Sequence, residues 1–230
     1  MISARGHARP EPQARRSSGR PAIPLDVIVD RALQIVDEEG ADALSMRVLA
    51  QRLDSGTATL YRHFTGRAEL IAQIVDRVFG EAALGADEEA PTSWQQACQA
   101  AATAMFAALN RHQKVAPLLA EQVPIGPNAM ALRERCLAML IDSGFPPPLA
   151  ARAYATLARY VLGFAIQFST QGAADGRDHT EQSALFRNCD PSQFPATVAV
   201  ADVLPVPLDE EFIFGLELLI AGLSQLRDGG

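Results

Sequence analysis

Residues 45–70, SMRVLAQRLDSGTATLYRHFTGRAEL, constrain the fold more than any other stretch. Met46, Leu49, Ala50 and Leu53 recur at helical spacing and make one apolar stripe. Ser45 stands just before them, where a side-chain oxygen caps the first free amides. Asp54-Ser55-Gly56 breaks the pattern with turn residues. From Thr57 a second short helix turns Leu60 and Phe64 inward and leaves Thr57, Ala58, Thr59, Tyr61, Arg62 and His63 outward. Two helices joined by a short Gly-containing turn form a helix-turn-helix, whose second helix fits the major groove of DNA. The outward residue types suit that task. Thr59, Tyr61 and His63 can hydrogen-bond phosphates or base edges, Arg62 and Arg67 add charge, and the Thr57 and Ala58 methyls can touch a thymine methyl. An ordinary helical hairpin with a polar face is the plainer alternative.

The remaining periodicity is helical throughout, so the predicted class is all-α. A first helix is expected over 25–39, with Pro24 and Asp26 at its start, Ile28, Ala32, Ile35 and Val36 inward, and Gly40 at its end. Another runs over 66–84, with Thr65 as its cap and Leu70, Ile74 and Val78 buried. Beyond an acidic loop at 85–92, helices are predicted over 94–110 (capped by Ser93), 114–122, 127–143, 149–171 and 209–226. Residues 172–207 read as a long connection with one helical turn at 180–186. Three segments follow: an Arg-rich, disordered N-terminal arm over 1–23, a DNA-binding domain over 24–80, and a ligand-binding and dimerisation domain over 81–230. Arg15, Arg16 and Arg20, spaced by Ser and Gly, suit an arm that enters the minor groove; a solvated tail is the alternative.

The segments VIVDRALQIVDEEGADALSMRVLAQRL and TATLYRHFTGRAEL closely resemble the DNA-binding domain of the TetR/AcrR family, over about residues 24–79. The resemblance implies that residues 57–63 are the recognition helix and that Arg47 reaches a base from the helix before it. It implies that Thr59, Tyr61, His63 and Arg67 anchor the DNA backbone. Two positions depart from the pattern: Ser55 replaces a small apolar residue, and Gly56 replaces the usual capping Ser. Trp94, RYVLGFAIQF and FIFGLELLIAGL extend the resemblance to the C-terminal domain of the tetracycline-repressor subfamily. There, however, Ala83 and Ala101 stand where tetracycline-contacting His and Asn belong, no His falls at 117–119, and Gln167 replaces a Glu near the metal. A ligand other than tetracycline, and no Mg²⁺ site or other cofactor, is the implication.

The apolar helices of the second half suggest assembly. Tyr154, Leu157, Val161 and Phe168 make one strongly apolar, and Phe212, Leu216, Leu219 and Leu223 help make the last apolar around most of its circumference. A second copy is the predicted cover, in a four-helix interface, with an intramolecular core as the alternative. A ligand pocket is expected from Met105, Leu109, Met130 and Leu137, with Arg159, Tyr160, Gly163 and Gln167 as polar or close-approach positions. Plain core packing is the competing reading. Arg159 would call for an anionic or carbonyl partner.

Net charge is −7, but it is uneven: the first 24 residues carry +4, residues 25–80 carry −3 and the remainder −8. DNA affinity follows a local positive face rather than the total. No apolar run is long enough to span a bilayer. Three scattered cysteines, Cys98, Cys136 and Cys189, fit buried thiols in a reducing cytoplasm. None of the four histidines has nucleophile or metal-ligand neighbours in sequence, so an enzyme is not expected; His112 reads as a helix-end cation. The expectation is a cytoplasmic homodimeric repressor that binds a palindromic operator in double-stranded DNA and is released by a small organic effector. Rivals are a ligand-independent regulator or activator, and an all-α carrier or enzyme with a vestigial helix-turn-helix.

Overall fold

The computed structural model describes residues 23–84, 91–121, 123–171 and 177–229. The Arg-rich arm, including Arg16 and Arg20, lies outside them. Among the described residues there are helices and turns and no strand. Helix α1, Leu25–Glu39, buries the expected Ile28, Ala32, Ile35 and Val36 completely, and Pro24 is its N-cap. Gly40 ends it at φ 91°, a left-handed value that a side chain resists. A single 3-10 turn at Ala41–Ala43 leads to α2, Met46–Arg52, whose Val48 amide donates to Ser45 Oγ at 3.2 Å. Arg52 returns to Glu38 and Glu39, pairing α2 with the end of α1.

Helix α3 spans only Thr57–Leu60, shorter than the expected 57–63. Gly56, its N-cap, supplies no side-chain cap, so its first turn lacks the oxygen that Ser would give. The chain nevertheless stays wound, because the amides of Tyr61 and Phe64 donate to the carbonyls of Thr57 and Leu60 at 3.1 and 3.0 Å. Helix α4, Arg67–Leu84, follows at once. Thr65 does not cap it as expected. Its amide and hydroxyl instead donate to the Glu69 carboxylate at 2.6 and 2.8 Å. These bonds hold that carboxyl below the usual carboxylate range.

The second half builds around α5, Trp94–Arg111, and α8, Pro147–Gln171. Helix α5 opens on a reciprocal cap: Gln96 N donates to Ser93 Oγ, and Thr92 N and Oγ1 donate back to Gln96 Oε1. A short α6, Ala116–Glu121, and α7, Pro127–Asp142, flank that pair. Helix α8 starts two residues before the expected 149, since Pro147 and Pro148 fit a first turn that needs no amide hydrogens. Within the expected long connection, the helical turn predicted at 180–186 is part of a longer α9 (Arg177–Arg187), and a second short helix, α10 (Pro195–Ala199), follows. Ser183 Oγ to Leu204 O and Arg187 to Asp202 tie that segment together. The last helix, α11, is Leu208–Asp228. Its buried stripe, Leu208, Phe212, Leu216 and Ile220, repeats every fourth residue and packs on α8 and α5. Tyr160 crosses to α11, donating to Phe212 O at 2.8 Å, and fills the place of a side chain at Gly215, whose Cβ would lie 2.3 Å from the phenol oxygen.

Candidate nucleic-acid interface and effector cavity

Two side chains attach α3 to the core, Leu60 and Phe64, exposed by 0% and 2%. The residues expected outward are so placed: Thr57, Ala58, Tyr61 and Arg62 are exposed, and Thr59 and His63 are half-buried. Arg47, on α2, is exposed beside them. Arg67 is placed differently. Its Nε and Nη2 donate to the carbonyls of Leu44 and Ala41 at 2.8 and 2.5 Å, so the guanidinium braces the turn between α1 and α2. The sequence offers no sign of this, because the partners lie more than twenty residues away.

A cavity of about 510 Å³ opens between α4, α5, α7 and α8. Its wall is mostly aliphatic and includes Phe79 of α4, Met105 and Leu109 of α5, Met139 of α7 and Leu162 of α8. Of the expected pocket residues, Met105, Leu109 and Arg159 line it. Met130, Leu137, Tyr160, Gly163 and Gln167 do not. Met130 is 45% exposed at the start of α7. Gly163 and Gln167 lie on the exposed face of α8. Tyr160 belongs to an aromatic cluster: it stacks on Phe212, which stacks on Phe106 at 4.1 Å between centroids, with Phe164 and Phe168 set edge-on to that group. The α5–α8–α11 side of the bundle is thus filled, and the void sits on the α4–α7 side.

The same packing corrects the expected dimer contacts. Val161, Phe212 and Leu216 are buried within the subunit, and Tyr154, Leu157 and Val161 line the cavity. Phe168 packs on Phe106, while Leu219 and Leu223 are half-buried. The large apolar side chains that α11 leaves exposed are Ile213, Phe214, Leu218 and Leu226.

Arg133, which sequence reasoning passed over, lines the cavity beside Tyr154. Its Nη2 donates to Pro124 O at 2.9 Å and its Nε to Tyr154 Oη at 3.4 Å. Cys98 and Cys136 are also in the wall. Burial pushes the Cys98 thiol up to about 12, with a smaller effect of the neighbouring Cys136, and burial raises Cys136 too. Both are therefore neutral thiols at physiological pH.

Two polar links tie the helices around the cavity to one another and to α1. Asp76 of α4 is buried, and its carboxylate accepts from Asn128 N, Asn128 Nδ2 and Ala129 N at 3.2, 3.0 and 2.9 Å. It thereby caps α7 from another helix. Gly126 is required there, since its Cβ would fall 2.3 Å from the Asp76 carboxyl group. At the end of α5, His112 places Nδ1 2.8 Å from Asp37 of α1 and Nε2 3.1 Å from Glu81 of α4. Lys114 adds a bond to the Glu38 carbonyl at 2.8 Å. The helix-end cation expected at 112 is in fact an interhelical bridge, assembled from three separate elements that no local spacing reveals.

Comparison with known proteins places these features. A family model described as bacterial regulatory proteins, tetR family, matches residues 28–74, and one described as the tetracyclin repressor-like C-terminal domain matches residues 87–227. The HTH-type transcriptional repressor DrrR1 of Streptomyces coeruleorubidus is 29% identical over 90% of this chain and 79% of its own length. The class G tetracycline repressor protein of Vibrio anguillarum is 27% identical over 87% of this chain and 93% of its own. The solved structure of ActR from Streptomyces coelicolor in complex with actinorhodin superposes with a TM-score of 0.78 and 32% identity, over 89% of this chain and 98% of that one.

Proposed function

The chain belongs to the tetR family of bacterial transcriptional regulators, whose members are not enzymes, and from that premise we propose that it is a repressor that binds an operator as a homodimer and leaves it when a small organic molecule fills the cavity. One observation carries the reading. The cavity is walled by Phe79 of α4, and α4 begins three residues after Phe64, the second anchor of the DNA-facing helix. A body inserted between α4 and α7 presses on the helix that continues the recognition element. Asp76 makes α4 and α7 move together rather than slide, and the His112 bridge passes the displacement to α1. That ActR is solved with actinorhodin bound supports an effector role for the corresponding region here.

Paired recognition helices must sit about 34 Å apart to enter successive major grooves, so a small rotation of each suffices for release. The effector need favour the released spacing by only a few kcal/mol. The partner subunit would cover the exposed α11 stripe of Phe214 and Leu218 rather than the buried one. Residues 1–23 would add minor-groove contacts through Arg16 and Arg20.

Fluorescence anisotropy with DNA from upstream of the gene tests the reading, first with protein alone and then with a panel of small organic molecules. Salt-sensitive specific binding, lost in Tyr61→Ala/His63→Ala and reversed by a compound of the panel, is the expected result. Specific binding that survives the double substitution would overturn the assignment of α3. Deleting residues 1–23 should weaken binding and flatten its dependence on salt, because fewer phosphates are neutralised; an unchanged slope refutes the arm.

A further inference from the structure

We propose that the effector is an organic acid whose carboxylate is received by Arg133 and Tyr154 inside the cavity, with an apolar body lying against Met105, Met139 and Phe79. The inference rests on the cavity being the effector site and adds the chemistry of what enters it. Of the described residues that line it, only Arg133 and Arg159 are charged, and both are cations. No carboxylate of a described residue forms an ion pair with either. A guanidinium taken part-way out of water in an apolar wall requires an anion or a full set of acceptors.

Among the described residues Arg133 finds neither. There its three nitrogens meet neutral acceptors only: the Pro124 carbonyl, the Tyr154 phenol oxygen and the Met130 sulfur at 2.8 Å. A thioether is a weak acceptor, and a guanidinium carries five N–H groups, so donors remain unused. Tyr154 Oη accepts from Arg133, and its own hydroxyl proton has no acceptor among the described residues. The polar corner of the cavity is therefore a set of donors held in place by the Pro124 carbonyl, and the acceptors around it among the described residues are neutral. A carboxylate supplies two acceptor oxygens and the missing charge in one group, and charge-assisted bonds of this kind are the strong ones. The remaining wall, aliphatic with two Met side chains, takes an apolar body of adaptable outline. Arg159, exposed and, among the described residues, bonded to the Ala155 carbonyl alone at 3.3 Å, stands at the mouth, where it attracts anions without fixing them.

The test uses the full chain and two fluorescent probes of nearly equal shape, anthracene-9-carboxylate and its methyl ester, titrated against wild type, Arg133→Gln, Tyr154→Phe and Arg159→Gln. The acid should bind wild type about tenfold or more tighter than the ester, a preference that Arg133→Gln abolishes and Tyr154→Phe reduces. Ester affinity should stay within about twofold in every variant, which also shows that the cavity is intact. Arg159→Gln should keep the acid's advantage. An ester that binds wild type as well as the acid, or an acid preference that survives Arg133→Gln, overturns the assignment while leaving the cavity as the effector site. If neither probe binds wild type, the cavity reading itself fails, and this inference with it.

Discussion

Replacing Asp76 by Ala should cost more stability than any exposed substitution and should do so at one place. The carboxylate is 4% exposed and accepts three hydrogen bonds, two of them from first-turn amides of α7 whose own N-cap is a glycine without a side chain. A hydrogen bond to a charged partner contributes roughly 1.5–3 kcal/mol, a lost N-cap costs about 1 kcal/mol, and each buried donor left unpaired costs about 1–3 kcal/mol. These quantities describe overlapping losses and do not add, which puts Asp76→Ala at about 3–4 kcal/mol. Asp76→Asn keeps the shape and one acceptor oxygen but loses the charge and turns a donor toward the amides, so about half that loss is expected. Urea unfolding reads both as a lower midpoint at unchanged slope. Hydrogen exchange adds the location: the Asn128 and Ala129 amides should exchange faster, and α1 amides should not beyond the global change. A loss under about 1 kcal/mol for Asp76→Ala, or unaltered exchange at those two amides, would refute the reasoning. The functional corollary is that Asp76→Asn should bind DNA yet need more effector for release, because α7 can then yield without carrying α4.

Arg67→Met should lower stability by about 1–2 kcal/mol through the lost bonds to Leu44 and Ala41, while the salt slope of DNA binding stays unchanged; a slope lowered by about one unit would return Arg67 to the phosphates. Under native conditions near pH 8, iodoacetamide followed by intact-mass measurement should leave Cys98 unmodified, since burial holds its thiol at about 12; fast alkylation there would contradict the burial. The Glu69 carboxyl lies below its ordinary value because Thr65 bonds its charged form, so its support for the α3–α4 corner is complete above the unfolded value and vanishes as pH falls through the folded one. Glu69→Gln should accordingly flatten the acid limb of the stability profile, and an identical limb in the variant would remove that role.

Local pattern made the helices of the first half legible. The Ser45 cap, the Asp54–Gly56 break and the fourfold spacing of Ile28, Ala32 and Val36 each act over one or two turns, and each is found where the sequence places it. Positions on α8 were read less well. Gly163 and Gln167 form one stripe with Arg159 at a four-residue interval, and Tyr160 stands next to Arg159, yet of these four only Arg159 reaches the cavity. Periodicity tells that a stripe is shared, not whether it meets a void, an aromatic cluster or solvent. Two of the interface positions expected on α11 fall inside the subunit for the same reason: α11 is apolar on two faces, and only packing against α8 reveals that Phe212 and Leu216 occupy the inner one. The links of Arg133 to Tyr154, Asp76 to Asn128 and His112 to Asp37 were invisible because the partners lie 21, 52 and 75 residues apart. Helices α9 and α10 were read mainly as a loop, since their sequence is polar and short of an apolar stripe.

If α3 reads DNA as proposed, its attachment by only two side chains separates recognition from what holds the protein together. Leu60 and Phe64 fasten the element; Thr57, Ala58, Tyr61 and Arg62 contribute almost nothing to the interior. Substitutions at those four positions are therefore nearly free of thermodynamic consequence. Target preference can drift, or be re-engineered, one outward residue at a time without a compensating repair elsewhere. The cavity offers no such freedom, because its wall is also the core: Leu109, Leu140 and Val161 are each exposed by 3% or less. Lineages descending from such a chain should change operators readily and effectors slowly.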